Sequence, residues 1–270
     1  MPELPEVETV VQSLKKVLLG KKVSDIEVKY NKIIRMPVDD FKEKLIGLEI
    51  KDITRKAKYL IFDFGDLSMV SHLRMEGKFH YNLNKRDSYG KHEHIIFYFS
   101  DGSELIYDDV RKFGEMHLKN NQELFLTEPL KKLGPDANTD IDQKIFAKAL
   151  KKTIPVKSFL LDQTIIAGIG NIYADEILFD SKIHPLRPAN SLTSEDLRRI
   201  LGASKTVLNK AINLGGTTIK SFSSGDISGL FQNELCVHTK KGEACPTCQT
   251  IIEKIKVGGR GTYFCSVCQK

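Results

Sequence analysis

Four cysteines near the C-terminus constrain the fold of this chain more than any other feature. Cys245 and Cys248 form one Cys-x2-Cys pair, and sixteen residues separate it from a second pair, Cys265 and Cys268. Each pair places two thiolates on one side of a tight turn, and two such turns at the ends of a β-hairpin complete a tetrahedron. We therefore predict one structural Zn2+, because thiolates fill all four positions. A pair of disulfides or an iron site is the alternative.

The remaining composition bounds the class of protein. Cys236 stands outside the zinc spacing and is predicted to be a plain buried thiol, and five cysteines do not suit a secreted disulfide framework. No apolar run is long enough to span a bilayer and the N-terminus shows no basic-then-apolar leader, so we expect a cytoplasmic protein with no membrane partner. The formal charge of +6 favours a polyanionic partner, although many metabolic enzymes are equally basic.

The N-terminus combines a helix with a possible nucleophile. Apolar residues recur every three or four positions and predict an amphipathic helix over 4–18, with Pro5 at its first turn and Gly20 after its last. Pro2 and Glu3 lie just ahead of it. If Met1 is removed, Pro2 offers a secondary amine that titrates near ~8, against ~10.4 for lysine, and can attack a sugar carbon. The alternative to a nucleophile is that Pro2 and Pro5 only stiffen the chain where it enters the helix.

The chain changes character near residues 131–136. Before this boundary, short apolar runs at 22–30, 59–64, 94–99 and 104–107 alternate with turn signals and predict a β-sandwich or a flattened barrel. After it, residues 140–152, 171–180 and 194–214 are predicted to be helical, the last with a cap at 194–196. The stretch 215–229 is rich in Gly, Ser and Thr, so it is either a connector or a lid.

Several polar motifs fit a phosphate-rich partner. The Gly-x-Gly before Asn171 opens a helix and is a candidate anion cradle, although the pattern alone is weak. Arg260 lies at a basic hairpin tip between the cysteine pairs, and either contacts a phosphate or decorates a solvated turn. Lys58 lies in a basic run that opens a strand, and on its own such a residue is expected on the solvated surface. His92 and His94 share one face of a strand, but without a third ligand we do not expect a metal there.

Seven segments, in chain order, resemble the bacterial formamidopyrimidine-DNA glycosylase family. They are PELPEVET at 2–9, KYL at 58–60, HLRMEG at 72–77, RKFG at 111–114, GIGNIY at 168–173, IHP at 183–185 and the four-cysteine motif. The resemblance covers the whole chain. It implies an α+β multidomain fold: an N-terminal catalytic β-sandwich domain over 1–130, a helix-two-turn-helix DNA-binding domain over 131–230, and a zinc finger over 236–270. The segment 217–229 would cover the flipped base as a lesion loop.

The resemblance also implies a bifunctional DNA glycosylase and lyase of base excision repair. Such an enzyme removes 8-oxoguanine and formamidopyrimidines from double-stranded DNA and cleaves the strand by β,δ-elimination, as a monomer and with no small-molecule cofactor. Pro2 would attack C1′ and form an iminium, and Glu3 would move protons. Lys58 would contact phosphate and assist β-elimination, and Arg260 would assist δ-elimination. The expected location is the bacterial cytoplasm, on the nucleoid when DNA is bound.

The remaining residues carried over from the family would contact DNA. Extruding a base from the stack costs a few kcal/mol and leaves a gap. Met75 and Phe113 would insert into this gap, and Arg111 would donate a hydrogen bond to the cytosine left without a partner. On composition alone Met75 and Phe113 would be core residues. The other expected contacts to DNA come from four further side chains: His92, Lys152, Lys157 and Asn171.

One departure and two alternatives remain. At 234–239 the chain reads ELCVHT where the family usually reads ELQVYG, which puts one tyrosine–phosphate contact in doubt, although His238 could substitute. The first alternative is an endonuclease VIII-like glycosylase for oxidised pyrimidines, against which Leu4, Met75 and the 111–113 segment argue. The second is a non-catalytic zinc-ribbon DNA-binding protein in which the N-terminal amine is never used.

Overall fold

A computed structural model of the chain describes residues 1–146, 149–217 and 229–270. Two compact units are present: Met1–Lys131 with Thr217–Gly229, called unit 1, and Lys132–Gly216 with Leu230–Lys270, called unit 2. Most of the predicted lesion loop, residues 218–228, lies outside the described residues. Within the described part of the chain, no helix has the length and apolar character needed to cross a bilayer.

Unit 1 is a β-sandwich with two helices. Its elements are α1 (Leu4–Leu18), β1 (Val23–Val28), α2 (Val38–Leu45), β2 (Asp52–Lys56), β3 (Tyr59–Asp63), β4 (Leu67–His72), β5 (Lys78–Asn82), β6 (Glu93–Phe99), β7 (Glu104–Asp108) and β8 (Glu115–Asn120). One antiparallel sheet has the order β1-β6-β7-β5 and the other β2-β3-β4-β8. Short 3₁₀ turns occupy Asn31–Ile33 and Asn121–Glu123.

The two sheets share one apolar core, as the alternating runs predict. The rings of Phe62 in β3 and Phe79 in β5 meet edge-on with centroids 5.5 Å apart, and Phe41 of α2 packs on Phe97 of β6 at 6.4 Å. Helix α2 was not predicted because it spans only eight residues after Pro37. Burying each of these rings stabilises the fold by roughly 1.5–3 kcal/mol, so the aromatic contacts define which faces of the sheets point inward.

Helix α1 confirms the prediction from periodicity. It spans Leu4–Leu18, with Pro5 in its first turn and Val7, Val10 and Leu14 buried. Its polar side is tied to β2, because Arg55 Nε lies 2.7 Å from Glu8 Oε2 and Lys15 Nζ lies 2.7 Å from Asp52 Oδ1. The N-terminal residues therefore precede a helix whose position is fixed by the sandwich core.

Unit 2 is helical and carries a two-stranded ribbon. It contains α3 (Val156–Leu161), α4 (Asn171–Asp180), α5 (Ser194–Asn213), β9 (Glu253–Val257) and β10 (Arg260–Phe264), with 3₁₀ turns at Ala189–Ser191 and Phe231–Glu234. Helix α4 has the predicted bounds. Helix α5 begins at the predicted residue, but Thr193 caps it, since its hydroxyl accepts a hydrogen bond from the Asp196 N–H at 3.1 Å.

The predicted helix over 140–152 is wrong. The described residues there form two 3₁₀ turns, Gln143–Phe146 and Ala149–Lys151. Ile141 and Phe146 both pack on the core of unit 2, and Phe146 is 1% exposed. Residues five apart are separated by about 140° around an α-helix, so one such helix could not direct both side chains inward.

Candidate active site

The N-terminal amine of unit 1 is partly buried. In the structure this amine belongs to Met1, and it stands in for the nitrogen of Pro2 that removal of Met1 would expose; Pro2 itself is buried. Burial lowers the pKa of the amino group. The carboxylates of Glu3 and Glu6 oppose this shift, whereas the charge of Lys58 adds to it. A lowered pKa leaves more of the amine unprotonated at neutral pH, as a nucleophile requires.

Two buried glutamates fix the backbone beside this amine. Glu3 is 3% exposed and Glu6 is 1% exposed. Glu6 Oε2 accepts a hydrogen bond from the Glu3 N–H at 2.9 Å, and Glu6 Oε1 accepts from the N–H and hydroxyl of Thr217 at 2.8 and 3.1 Å. Glu6 therefore joins Glu3 to the first residue of the predicted lesion loop. Glu6 was not among the predicted site residues; its spacing from Glu3, that of a capping box, was the missed signal.

Lys58 lies in the two-residue turn between β2 and β3. Ala57 before it adopts a left-handed φ of 54°. Lys58 is 6% exposed rather than solvated, and its charge acts on the N-terminal amine. The structure thus brings Pro2, Glu3 and Lys58 together in unit 1. The fourth predicted catalytic residue, Arg260, belongs to unit 2.

The predicted wedge residues lie on two surface loops of unit 1. Met75 is 38% exposed on the loop 73–77, and Phe113 is 52% exposed on the loop 109–114. Arg111 is exposed, and its guanidinium carbon lies 4.8 Å from the centroid of the Phe113 ring. Composition alone favoured core positions for both apolar side chains. Their exposure instead leaves them available to a partner.

A buried tyrosine hydroxyl packs against both loops. Tyr107 is fully buried, and a Cβ added at Gly77 or Gly114 would approach its hydroxyl oxygen to 2.2 or 1.7 Å. Only glycine therefore fits at either position. Burial raises the pKa of Tyr107, and the charge of Asp109 raises it further, so the hydroxyl stays protonated and can donate.

His92 lies immediately before β6. Its carbonyl accepts a hydrogen bond from the Asp109 N–H at 2.9 Å. Its Nδ1 is buried, and among the residues that the structure describes it has no hydrogen-bond partner. His94 is buried, and its Nε2 lies 2.9 Å from the Asp109 carbonyl oxygen. The position of His92 therefore depends on the strand end that carries the loop 109–114.

In unit 2, the predicted phosphate contacts Asn171 and Arg260 are neighbours in space. Asn171 is the first residue of α4, and its Nδ2 donates to the carbonyl of Gly261 at 3.1 Å. Its Oδ1 is buried without a partner within the described ranges. Arg260 is exposed and precedes Gly261 at the start of β10, after the turn at Gly258 and Gly259. A helix N-terminus and an arginine are both suited to phosphate.

Lys157 is not placed as we predicted. It is 0% exposed, and its Nζ lies 2.7 Å from Asp175 Oδ1. It also donates to the Gly261 carbonyl at 3.1 Å and to the Thr262 hydroxyl at 2.9 Å. A buried ammonium engaged in this way is not available as a direct DNA contact. Lys157 instead anchors the ribbon that carries Arg260, whereas Lys152 is exposed, as a DNA contact requires.

The residue that replaces the family tyrosine is also tied to Asp175. His238 Nδ1 lies 2.7 Å from Asp175 Oδ2, and its ring packs on Tyr263 with centroids 5.0 Å apart. The Tyr263 N–H donates to the same carboxylate oxygen at 3.2 Å. The contact of His238 with phosphate stays a prediction. No sequence pattern pointed to Asp175, because its partners lie far away along the chain.

The four predicted zinc ligands converge in unit 2. The Sγ atoms of Cys245, Cys248, Cys265 and Cys268 all lie within 4.8 Å of one another. Zn–S bonds of about 2.3 Å in a tetrahedron place sulfurs about 3.8 Å apart, so the cluster fits one Zn2+. Cys236 is separate and half-buried, and burial raises the pKa of its thiol to about 11.

Family models of known proteins match most of the chain. The formamidopyrimidine-DNA glycosylase N-terminal domain matches residues 1–116, the formamidopyrimidine-DNA glycosylase H2TH domain residues 133–223, and the zinc finger found in FPG and IleRS residues 242–270. Proteins named formamidopyrimidine-DNA glycosylase from Streptococcus pneumoniae and Bacillus cereus are 45% and 48% identical, with 100% of this chain and 99% of each relative covered.

Solved structures agree with the family models. A complex between a mutant of the Lactococcus lactis Fpg protein and a Fapy-dG containing DNA matches with a TM-score of 0.93 at 43% identity, covering 100% of both chains. A complex between the same organism's Fpg and an abasic site containing DNA matches with a TM-score of 0.92 at 42% identity, covering 99% of both chains.

Proposed function

The chain belongs to the formamidopyrimidine-DNA glycosylase family, and we propose that it excises oxidised purines from duplex DNA and then cleaves the strand. The observation that carries the proposal is the setting of the N-terminus in unit 1, where Pro2 and Glu3 are buried and the charge of the buried Lys58 acts on the terminal amine. Relatives solved with Fapy-dG and abasic-site DNA support this substrate class. The substrates are 8-oxoguanine and formamidopyrimidines.

The first half of the reaction is base removal. After Met1 is removed, the Pro2 nitrogen attacks C1′, and the glycosidic bond breaks with its electron pair leaving on the base. Glu3 moves the protons: the one that the Pro2 nitrogen loses on bonding to C1′ goes to the departing base, and a second, taken up from water, goes to O4′ as the sugar ring opens. Proline nitrogen has no second hydrogen to lose, so ring opening gives a cationic iminium directly.

The second half is strand cleavage. The iminium draws electrons from C2′, so a C2′ proton is lost and the 3′ C–O bond breaks, releasing one phosphate. In a second elimination a C4′ proton is lost and the 5′ C–O bond breaks, releasing the second phosphate; water then hydrolyses the iminium and frees Pro2 and the unsaturated sugar fragment. Lys58 contacts phosphate and assists the first elimination, and Arg260 assists the second. The DNA is left with a one-nucleotide gap and phosphates at both ends.

The remaining surface residues bind and distort the duplex. Met75 and Phe113 fill the space that the extruded base vacates, and Arg111 donates to the orphaned cytosine. Phosphate contacts come from three further polar side chains, of which Lys152 is exposed and the other two are half-buried: His92 and Asn171. This division fits their chemistry, because the wedge residues are apolar and the phosphate contacts are polar.

The four cysteines hold one structural Zn2+, which fixes the ribbon and takes no part in the steps above. With four thiolates in place, its coordination is complete. The protein acts as a monomer in the cytoplasm and associates with the nucleoid when it is bound to damaged DNA.

A borohydride trapping experiment tests the proposal. The processed protein, with Pro2 confirmed as its first residue by mass spectrometry, should give a covalent adduct with an 8-oxoguanine duplex. A form that keeps a residue before Pro2 should bind the same duplex but give no adduct. If the processed form gives none, the protein is a DNA-binding scaffold. A marked preference for thymine glycol over 8-oxoguanine would instead assign it to oxidised pyrimidines.

A further inference from the structure

A buried carboxylate lies beneath the loop that presents Arg111 and Phe113. Asp109 follows β7 and is 0% exposed. Its Oδ1 accepts a hydrogen bond from the Arg111 N–H at 3.0 Å, and its Oδ2 accepts from the Gly114 N–H at 2.8 Å and from the Tyr107 hydroxyl at 3.4 Å. A carboxylate is costly to bury unless donors surround it, so these bonds define the path of the loop.

The backbone of Asp109 is held as firmly as its side chain. Its N–H donates to the His92 carbonyl at 2.9 Å, and its own carbonyl accepts from the Lys112 N–H at 3.2 Å and lies 2.9 Å from His94 Nε2. Lys112 adopts a left-handed φ of 57°, which makes the loop turn sharply between its two exposed side chains. Asp109 thus contacts the backbone on both sides of that turn.

The same cluster reaches the second wedge loop. The hydroxyl of Tyr107, which donates to Asp109, lies where any side chain at Gly77 or Gly114 would collide with it. The Gly77 N–H donates to the Leu73 carbonyl at 2.9 Å and closes the loop that carries Met75. Asp109 and Tyr107 therefore support both loops from the interior of unit 1.

We propose that Asp109 is a positioning residue for recognition of the base opposite the lesion. By fixing the amides of Arg111 and Gly114, it sets the distance that the Arg111 guanidinium must span to the orphaned base. Hydrogen bonds to a base edge weaken steeply with misplacement, so a loosened loop loses discrimination before it loses general DNA affinity. This inference rests on the proposed function, which gives Arg111 that contact.

The test compares Asp109→Asn with Asp108→Asn. The first variant replaces an acceptor by an amide that faces the Gly114 N–H, whereas the second removes the same charge from the neighbouring residue without touching the loop. kcat/KM is measured on duplexes with 8-oxoguanine opposite cytosine and opposite adenine. Asp109→Asn should lower the cytosine-to-adenine ratio about tenfold, since a charge-assisted hydrogen bond contributes about that factor. Asp108→Asn should leave the ratio unchanged.

A double variant separates positioning from general stability. In an Arg111→Ala background the ratio should already be low, and adding Asp109→Asn should not lower it further. A purely structural role would reduce kcat/KM equally on both duplexes and leave the ratio unaltered. That result, or a further fall of the ratio in the Arg111→Ala background, overturns the inference.

Hydrogen exchange on the unaltered protein covers the case in which Asp109→Asn does not fold. The amides of Arg111 and Gly114 should exchange more slowly than those of Val110 and Phe113, which donate no hydrogen bond to any described residue. Equal rates would show that the carboxylate does not hold the loop, and the inference would fall. If the unaltered protein cleaves neither duplex, the proposed function fails, and that outcome is distinct from either result above.

Discussion

Breaking the buried ion pair of Lys157 and Asp175 should destabilise unit 2 severely. The Nζ–Oδ1 distance is 2.7 Å, and both side chains are 0% exposed. Lys157→Met keeps the apolar stem but leaves a buried carboxylate without its cation, which costs about 3–5 kcal/mol. His238 Nδ1 and the Tyr263 N–H still contact Asp175 Oδ2, at 2.7 and 3.2 Å. We therefore expect the lower end, about 3 kcal/mol.

The assay follows zinc release during urea unfolding of the full-length, zinc-loaded protein. The four cysteines lie in the same unit as Lys157, so a chromogenic chelator reports when that unit opens. With a slope of about 2 kcal/mol per molar urea, a loss of about 3 kcal/mol lowers the midpoint by about 1.5 M. Lys205→Met is the matched control: its partner Asp140 is 91% exposed, and exposed pairs contribute under about 1 kcal/mol.

A second variant distinguishes a lost charge partner from lost packing. Combining Lys157→Met with Asp175→Asn removes both charges but keeps an amide oxygen that can accept from His238 and the Tyr263 N–H, so most of the lost stability should return. An unchanged midpoint for Lys157→Met would refute the reasoning, because the carboxylate would then be satisfied without its lysine. A double variant less stable than the single one would refute it equally.

Three further predictions concern zinc, phosphate and protons. Cys245→Ser should lose zinc and bind lesion DNA more weakly while unit 1 keeps its thermal transition; unchanged DNA binding by the metal-free variant would contradict this. Arg260→Ala should reduce the slope of log affinity against log salt by about 1, since one phosphate contact is removed, and an unaltered slope would leave the arginine as a surface residue only. Burial lowers the pKa of His72 to about 3, whereas an unfolded histidine titrates near ~6.5, so the unfolded chain binds more protons between these values. The free energy of unfolding should therefore fall as the pH drops from about 6.5 towards 3, by up to ~1.4 kcal/mol per unit, and urea unfolding of His72→Gln should show a shallower dependence.

Local patterns predicted the parts of the molecule that local interactions determine. The bounds of α1 and α4 followed from apolar spacing and end signals, because helices depend on neighbours three and four residues away. The zinc ligands followed from two short spacings. Family resemblance supplied Pro2, Glu3 and Lys58 as a set, and periodicity alone could not, since it placed Lys58 on a solvated surface.

Burial of charge could not be predicted in the same way. Lys157 was expected at the surface because its partners are remote: Asp175 is 18 residues away and Gly261 is 104. Asp109 was missed although two of its amide partners are within five residues, because nothing in the sequence shows that the carboxylate is enclosed. Whether a charged side chain is solvated or enclosed depends on the tertiary fold, which periodicity does not report.

The buried carboxylates also explain how a protein built to hold DNA can carry negative charge close to its contact residues. Glu6, Asp109 and Asp175 each accept hydrogen bonds from backbone amides, and each lies under residues predicted to react with or contact DNA. An exposed carboxylate at these places would repel phosphate, whereas the oxygens of a buried carboxylate accept hydrogen bonds from donors of the protein itself. The exposed side chains can then be cationic or apolar, as binding requires. The hydrogen bonds to the buried carboxylates fix the geometry of the loops and the ribbon. Substitution of such a carboxylate should therefore impair function through the backbone that it holds in place.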